Sequence, residues 1–280
     1  MEHLLQALLL GLVQGLTEFL PVSSSAHLRL VGLLFPQGDG AGEFDPGATF
    51  TAITQLGTEL AVVIYFRKDI GRILTQWSRG LTGKIPQSDP DVRMGWLVVI
   101  GTVPIVLAGY FFQEAIRSTF RSLWIVAIVL IGFGLLLGLA DRLGRQQLRF
   151  EQMSYRHGIA VGLAQVLALV PGVSRSGATT TAGLALGYSR PAAARFSFLL
   201  AVPAVFGSGL YELLQSFSEP GPYSLGETFA ATVVAFVVGF LVIAFFMNYI
   251  SRRSFAPFVV YRVVLGVVLL VLLSLGVVSA

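Results

Sequence analysis

Long apolar runs separated by short polar segments set the pattern of this chain. A membrane-crossing helix needs about 20 mostly apolar residues. Six stretches qualify: roughly Ala48–Phe66, Asp91–Phe112, Thr119–Ala140, Pro191–Leu214, Leu225–Ile250 and Phe255–Val278. Pro104 and Pro203 interrupt two of them, which neighbouring helices can accommodate. Two further apolar stretches are built differently. Leu4 to Phe35 is broken by Pro21-Val22-Ser23-Ser24-Ser25, and Tyr155 to Gly187 by Pro171-Gly172-Val173-Ser174-Arg175-Ser176-Gly177. Each half is too short to span, and each break is rich in hydroxyls. Non-helical backbone survives at membrane depth only where protein or a wet cavity surrounds it. The pattern therefore predicts two re-entrant helix–loop–helix hairpins, about residues 2–35 and 154–187. The first is not expected to be a secretory signal, because Met1-Glu2-His3 lacks a basic start and Glu18 sits inside the run.

The two broken stretches also resemble each other. With Gly11 placed over Gly162, an offset of 151, Gly11, Leu12, Gln14, Leu16, Val22, Ser23 and Ser25 all meet identical residues without a gap. This internal duplication predicts an all-α polytopic membrane protein with an inverted-topology repeat. Residues 1–140 form one half and 141–280 the other. Each half carries one re-entrant hairpin and three transmembrane helices, and together they make one integral membrane domain.

Composition agrees and charge adds orientation. Hydrophobic residues make up 55% of the 280 and charged residues 12%, about half the share of an ordinary soluble domain. Mean hydropathy is +0.78. Zero cysteines exclude a disulfide scaffold, a thiol nucleophile and a thiolate zinc site. The net charge of +4 does not mean nucleic acid, because the basic residues lie between apolar runs. Arg67, Lys68, Arg72, Arg79 and Lys84 follow the first span, Arg142, Arg145, Arg149 and Arg156 the third, and Arg252 and Arg253 the fifth. These three loops are expected on the cytoplasmic side. Asp39, Glu43, Asp45 and Glu219 are expected outside, with Arg117 and Arg121 a mild conflict. The first hairpin then enters from outside and the second from the cytoplasm, and such repeats place a polar site near the midplane.

The first hairpin holds Gln14 and Glu18, four residues apart and so on one helix face. Ser23, Ser24 and His27 follow. A carboxylate and an imidazole are costly in apolar sequence, and the hydroxyls between them have no packing rationale. The second hairpin offers Ser174, Arg175, Ser176, Gly177 and Thr179 at a helix start. Helix N-termini suit phosphate, and a guanidinium matches its oxygens in a fork. One break thus supplies acid, base and nucleophile, and the other an anion cradle, which suggests phosphoryl transfer. A secondary transporter or lipid scramblase of the same architecture is the alternative, although a carrier needs no such reactive set. Glu59 lies near the middle of the first span, and Arg262 in the last span reads as a structural tie.

At these two breaks the sequence resembles the bacterial undecaprenyl-diphosphate phosphatase family, also called the bacitracin-resistance proteins. Gln14-Gly15-Leu16-Thr17-Glu18-Phe19-Leu20-Pro21-Val22-Ser23-Ser24 with His27 is similar to its first motif, and Pro171 to Thr179 to its second. Gln55-Leu56-Gly57 and Phe196 to Pro203 also resemble family segments. The resemblance implies hydrolysis of undecaprenyl diphosphate to undecaprenyl phosphate and inorganic phosphate. That reaction recycles the lipid carrier of cell-wall synthesis and gives bacitracin resistance. It implies a multi-pass protein of the bacterial inner membrane, open toward the outer face, with a polyprenyl diphosphate and membrane lipid as partners. Ser24 would be the nucleophile, Glu18 and His27 acid/base groups, and Arg175 the phosphate clamp. Gln14, Ser23, Ser174, Ser176, Gly177 and Thr179 would bind substrate. Glu18 would hold any divalent cation, Mg or Ca; no organic cofactor and no nucleic acid are expected, and a homodimer is left open. The motif begins with Glu or Gln, and Gln14 leaves one carboxylate fewer. Glu59 stands where the resemblance leads to an apolar residue, and it compensates only if it shares the cavity. Attack by Ser24 and attack by water stay equal alternatives here.

Overall fold

A computed structural model describes residues 2–33, 35, 47–112, 122–217 and 221–278. Among these the structure is helical, without strands. Asp39, Glu43, Asp45, Arg117, Thr119, Arg121 and Glu219 lie outside the described residues. The helices are α1 (Glu2–Thr17), α2 (Ser24–Gly32), α3 (Ala48–Tyr65), α4 (Arg67–Leu81), α5 (Pro90–Phe111) and α6 (Leu123–Leu143). They continue with α7 (Tyr155–Val166), α8 (Arg175–Ala185), α9 (Arg190–Gln215), α10 (Leu225–Ile250) and α11 (Ala256–Ser274).

Five of these, α5, α6, α9, α10 and α11, are long and apolar enough to cross a membrane. Their outer faces leave Val103, Leu107, Leu135, Leu139, Leu241 and Phe245 exposed, which lipid accommodates and water would not. Pro104 and Pro203 sit inside α5 and α9.

The sixth expected span is α3, and here the reading needs correction. The basic segment after it is not a loop. Residues 67–81 form α4, bent by 78° from the preceding helix. Its buried side fits α5: a Cβ on Gly80 would press on Val92, and one on Gly95 would press on Trp77. Arg72 bridges to Asp91 at 2.9 Å. Charge density hid an amphipathic helix whose packed side carries Ile70, Ile73, Trp77 and Gly80.

Both broken stretches are two helices with a turn between. Arms α1 and α2 are about 24 Å and about 14 Å long, each short of about 30 Å of hydrocarbon. The second arms restart earlier than expected, at Ser24 and Arg175, for one shared reason. Ser23 accepts the Ala26 N–H and Ser174 accepts the Gly177 N–H, so each caps the new helix. These two serines, 151 apart, hold positive φ of 75° and 69°. Left-handed backbone at a residue with a Cβ costs about 1–3 kcal/mol and persists only where surroundings enforce it.

The packing is reciprocal. Arm α1 lies on α10, and arm α7 on α5. Helix α3 packs on α10, and α9 on α5, while α3 meets α9 and α6 meets α11. The two first-arm crossings depend on glycine at matching positions. A Cβ on Gly11 would run into the Ala231 carbonyl of α10, and one on Gly162 into the backbone of Gly101 in α5. Gly162→Val should therefore push α7 off α5 and cost about 1–3 kcal/mol or more. The check is a lowered melting midpoint of the detergent-solubilised protein. The largest buried cluster joins Phe19 of the first break to Phe66, Phe198 and Phe246.

Candidate active site

The first break ends α1 at Thr17, so Glu18 hangs from the turn and reaches toward the second break. Its carboxylate is 7% exposed by residue and collects three donors. Gln14 Nε2 donates to Oε2 at 2.8 Å and Ser24 Oγ to the same oxygen at 2.7 Å. Arg175 donates to Oε1 at 2.8 Å. The i, i+4 spacing of Gln14 and Glu18 sets the first bond, and the cap at Ser23 sets the second by placing Ser24 at the first position of α2. Arg175 opens α8 in the same way after Ser174. Thus the two segments, far apart in sequence, meet at one buried carboxylate.

Two further ties fix that meeting. Ser176 Oγ donates to the carbonyls of Glu18 at 3.3 Å and Leu20 at 3.5 Å. Arg262, wholly buried in α11, donates to the carbonyls of Pro21 and Val173 at 3.0 Å, Gly172 at 2.8 Å and Leu130 at 3.2 Å. It is a structural tie, and its partners are the two breaks themselves. Gly177 belongs to this packing: a Cβ there would come within 3.1 Å of the Arg262 guanidinium.

The predicted set divides. Gln14, Glu18, Ser24 and Arg175 converge. Ser23 and Ser174 act as caps, Ser174 and Ser176 lie 3.2 Å apart, and Thr179 meets Ser197 of α9 at 2.5 Å. His27 is not paired with Glu18. Its Nδ1 lies 2.7 Å from the Ser23 carbonyl and its Nε2 lies 2.6 Å from the Tyr261 hydroxyl. A carbonyl only accepts, so Nδ1 carries hydrogen and, in the neutral ring, Nε2 accepts from Tyr261. Tyr261 was missed, since its place on an apolar helix carries no signal of its own.

Ser25 is exposed, and Ser24 and His27 are half-buried. An open cavity of about 720 Å³ lies elsewhere, lined by Phe66, Asp69, Arg149 and Arg195 among others. Phe66 touches Phe198, which touches Phe19, the residue after Glu18. Among the described residues no three His, Cys, Asp or Glu cluster as a metal cage. Glu18, the expected cation ligand, has both oxygens engaged, one of them by a guanidinium. The steps proposed below use the protein's own side chains.

A hydroxyl held on a carboxylate, with a guanidinium on its other oxygen, inside a bundle of membrane-length helices, defines an integral-membrane protein with an internal group-transfer site. Comparison with known proteins agrees: the chain belongs to the bacitracin resistance protein BacA family, whose model matches residues 7–268. It is similar to the undecaprenyl-diphosphatase of Clavibacter michiganensis subsp. michiganensis, at 68% identity over 99% of both chains. The undecaprenyl-diphosphatase of Micrococcus luteus is 60% identical over 99% of both chains. Undecaprenyl-diphosphatase 2 of Agrobacterium fabrum is 55% identical over 99% of this chain and 98% of its own.

Proposed function

We propose that this protein hydrolyses undecaprenyl diphosphate to undecaprenyl phosphate and inorganic phosphate, recycling a lipid carrier and giving bacitracin resistance. The observation that carries the mechanism is Glu18 shared between Ser24 Oγ at 2.7 Å and Arg175 at 2.8 Å. The diphosphate head enters along α2 while the isoprenoid tail stays among lipid-facing helices. Arg175 binds the terminal phosphate through NH1, the terminal nitrogen that Glu18 leaves free, and offsets charge that builds in the transition state. Ser24 Oγ attacks the terminal phosphorus and gives its proton to Glu18. The P–O bond to the lipid phosphate breaks, and undecaprenyl phosphate leaves with the proton that Glu18 took from Ser24, which restores the carboxylate. Water then hydrolyses the phosphoserine, with Glu18 as the base. His27, tied to Tyr261, carries no proton step in this scheme and orders the start of α2.

The hydrogen bond from Ser24 to Glu18 favours the covalent route over direct attack by water. Ser24→Ala should cut phosphate release from farnesyl diphosphate about a thousandfold or more. Rapid quenching of the wild type should trap a phosphoserine at Ser24. An alanine variant that keeps most of its turnover would sink the covalent step.

Architecturally, the reading is two inverted halves, 1–140 and 141–280, in the inner membrane with the site open outward. The matched caps at Ser23 and Ser174 and the reciprocal helix packing support it, as do the basic segments after α3, α6 and α10. A transporter of this shape would have no use for a serine held on a carboxylate.

A further inference from the structure

Glu59 is a buried carboxylate that the mechanism leaves unused. It sits in α3, wholly buried, and neither carboxylate oxygen has a hydrogen-bond partner. Its Oε2 lies 3.6 Å from the same Arg175 nitrogen that donates to Glu18. The other terminal nitrogen of that guanidinium, NH1, is buried and has no partner either. An unbonded buried carboxylate is expensive, and an apolar side chain would serve packing in α3 better. The feature that remains is its grip on one edge of Arg175.

We propose that Glu59 is a positioning residue for the phosphate-binding arginine. Together with Glu18 it pins the NH2 edge of Arg175 from two sides, so that NH1 points to the ligand. Two carboxylates arriving from different elements, the first break and α3, fix the plane of the guanidinium in a way that one cannot. This inference rests on Arg175 being the phosphate clamp of the reaction above. It also separates Glu59 from the bond that stabilises Arg175, since removing Glu59 leaves the 2.8 Å pair with Glu18 intact. Breaking a buried pair is costly when it strands a charge, and here no charge is stranded.

The test uses the full chain in detergent, as Glu59→Leu and Glu59→Gln, each alone and combined with Arg175→Lys. Phosphate release from farnesyl diphosphate, binding of inorganic pyrophosphate by calorimetry and the melting midpoint are measured together. Either single variant should lose about tenfold or more in kcat/KM and about tenfold in pyrophosphate affinity, because small misplacement of a clamp is costly. The melting midpoint should stay at or above that of the wild type. Beside Arg175→Lys, whose ammonium has no plane to orient, the same substitutions should cost less than about threefold. Unchanged activity and binding in both single variants would overturn the proposal. So would a melting midpoint that falls in step with activity, or a full tenfold loss that persists beside Arg175→Lys. A wild type that releases no phosphate would count against the phosphatase reading instead, and the pyrophosphate arm would still decide Glu59.

Discussion

Arg175→Ala should reduce phosphate release about a thousandfold or more and lower stability by about 3–5 kcal/mol. Both effects come from one side chain. The guanidinium neutralises Glu18 at 2.8 Å and faces Glu59 at 3.6 Å, with both carboxylates almost or wholly removed from solvent. Alanine leaves two buried carboxylates close together without a cation, which is the costly way to break a buried pair. It also removes the donors that face the terminal phosphate as negative charge accumulates. Arg175→Lys separates the two effects. It keeps a positive charge, so the melting midpoint should fall much less, but it loses the planar fork, so turnover should stay well below that of the wild type. Phosphate release and thermal melting in the same detergent check both statements. Full turnover by the lysine variant would remove Arg175 from the role of clamp.

Arg262→Met should be nearly as damaging, for a different reason. Arg262 touches neither Glu18 nor Ser24 through any of its four bonds; it gathers the carbonyls of Pro21, Gly172, Val173 and Leu130. Each buried acceptor left without a donor costs about 1–3 kcal/mol, partly offset because the guanidinium is itself expensive to bury. The expected net loss is about 3–5 kcal/mol, read as a lower melting midpoint. The strained serines make this loss functional. Ser23 and Ser174 hold positive φ only while their surroundings enforce it. With the strap removed, the turns relax, and Ser24 and Arg175 leave the carboxylate they share. Activity should therefore collapse even in the fraction that remains folded at low temperature. An Arg262→Met protein with normal turnover would show that the breaks hold themselves.

Much of this was legible in the residues. Apolar run length gave the spans, because lipid demands it. The hydroxyl-rich interruptions at Ser23–Ser25 and Ser174–Ser176 gave the breaks, because nothing else justifies them inside apolar sequence. The expected approach of Glu18 to Arg175 is what the structure has. Other features were hidden for physical reasons. The helix at 67–81 was masked by its charge, since its apolar side is narrow and rests on α5. The partner of His27 lies 234 positions away on α11, and no local pattern announces a contact made only by folding. Thr179 is singled out by type alone, and its contacts with the Arg175 carbonyl and with Ser197 of α9 are made only by folding. Glu59 could be flagged as an anomaly in α3, but whether it joined the site depended on how α3 lies against the second break.

The strap that joins the two breaks lies on the last helix. In chain order Arg262 comes after both breaks, so it is made later than the carbonyls of Pro21, Gly172 and Val173 that it gathers. Until then the two turns lack the side chain that binds both backbones. Without α11 the two breaks would have to hold each other through the pair of Glu18 with Arg175 and the bonds of Ser176.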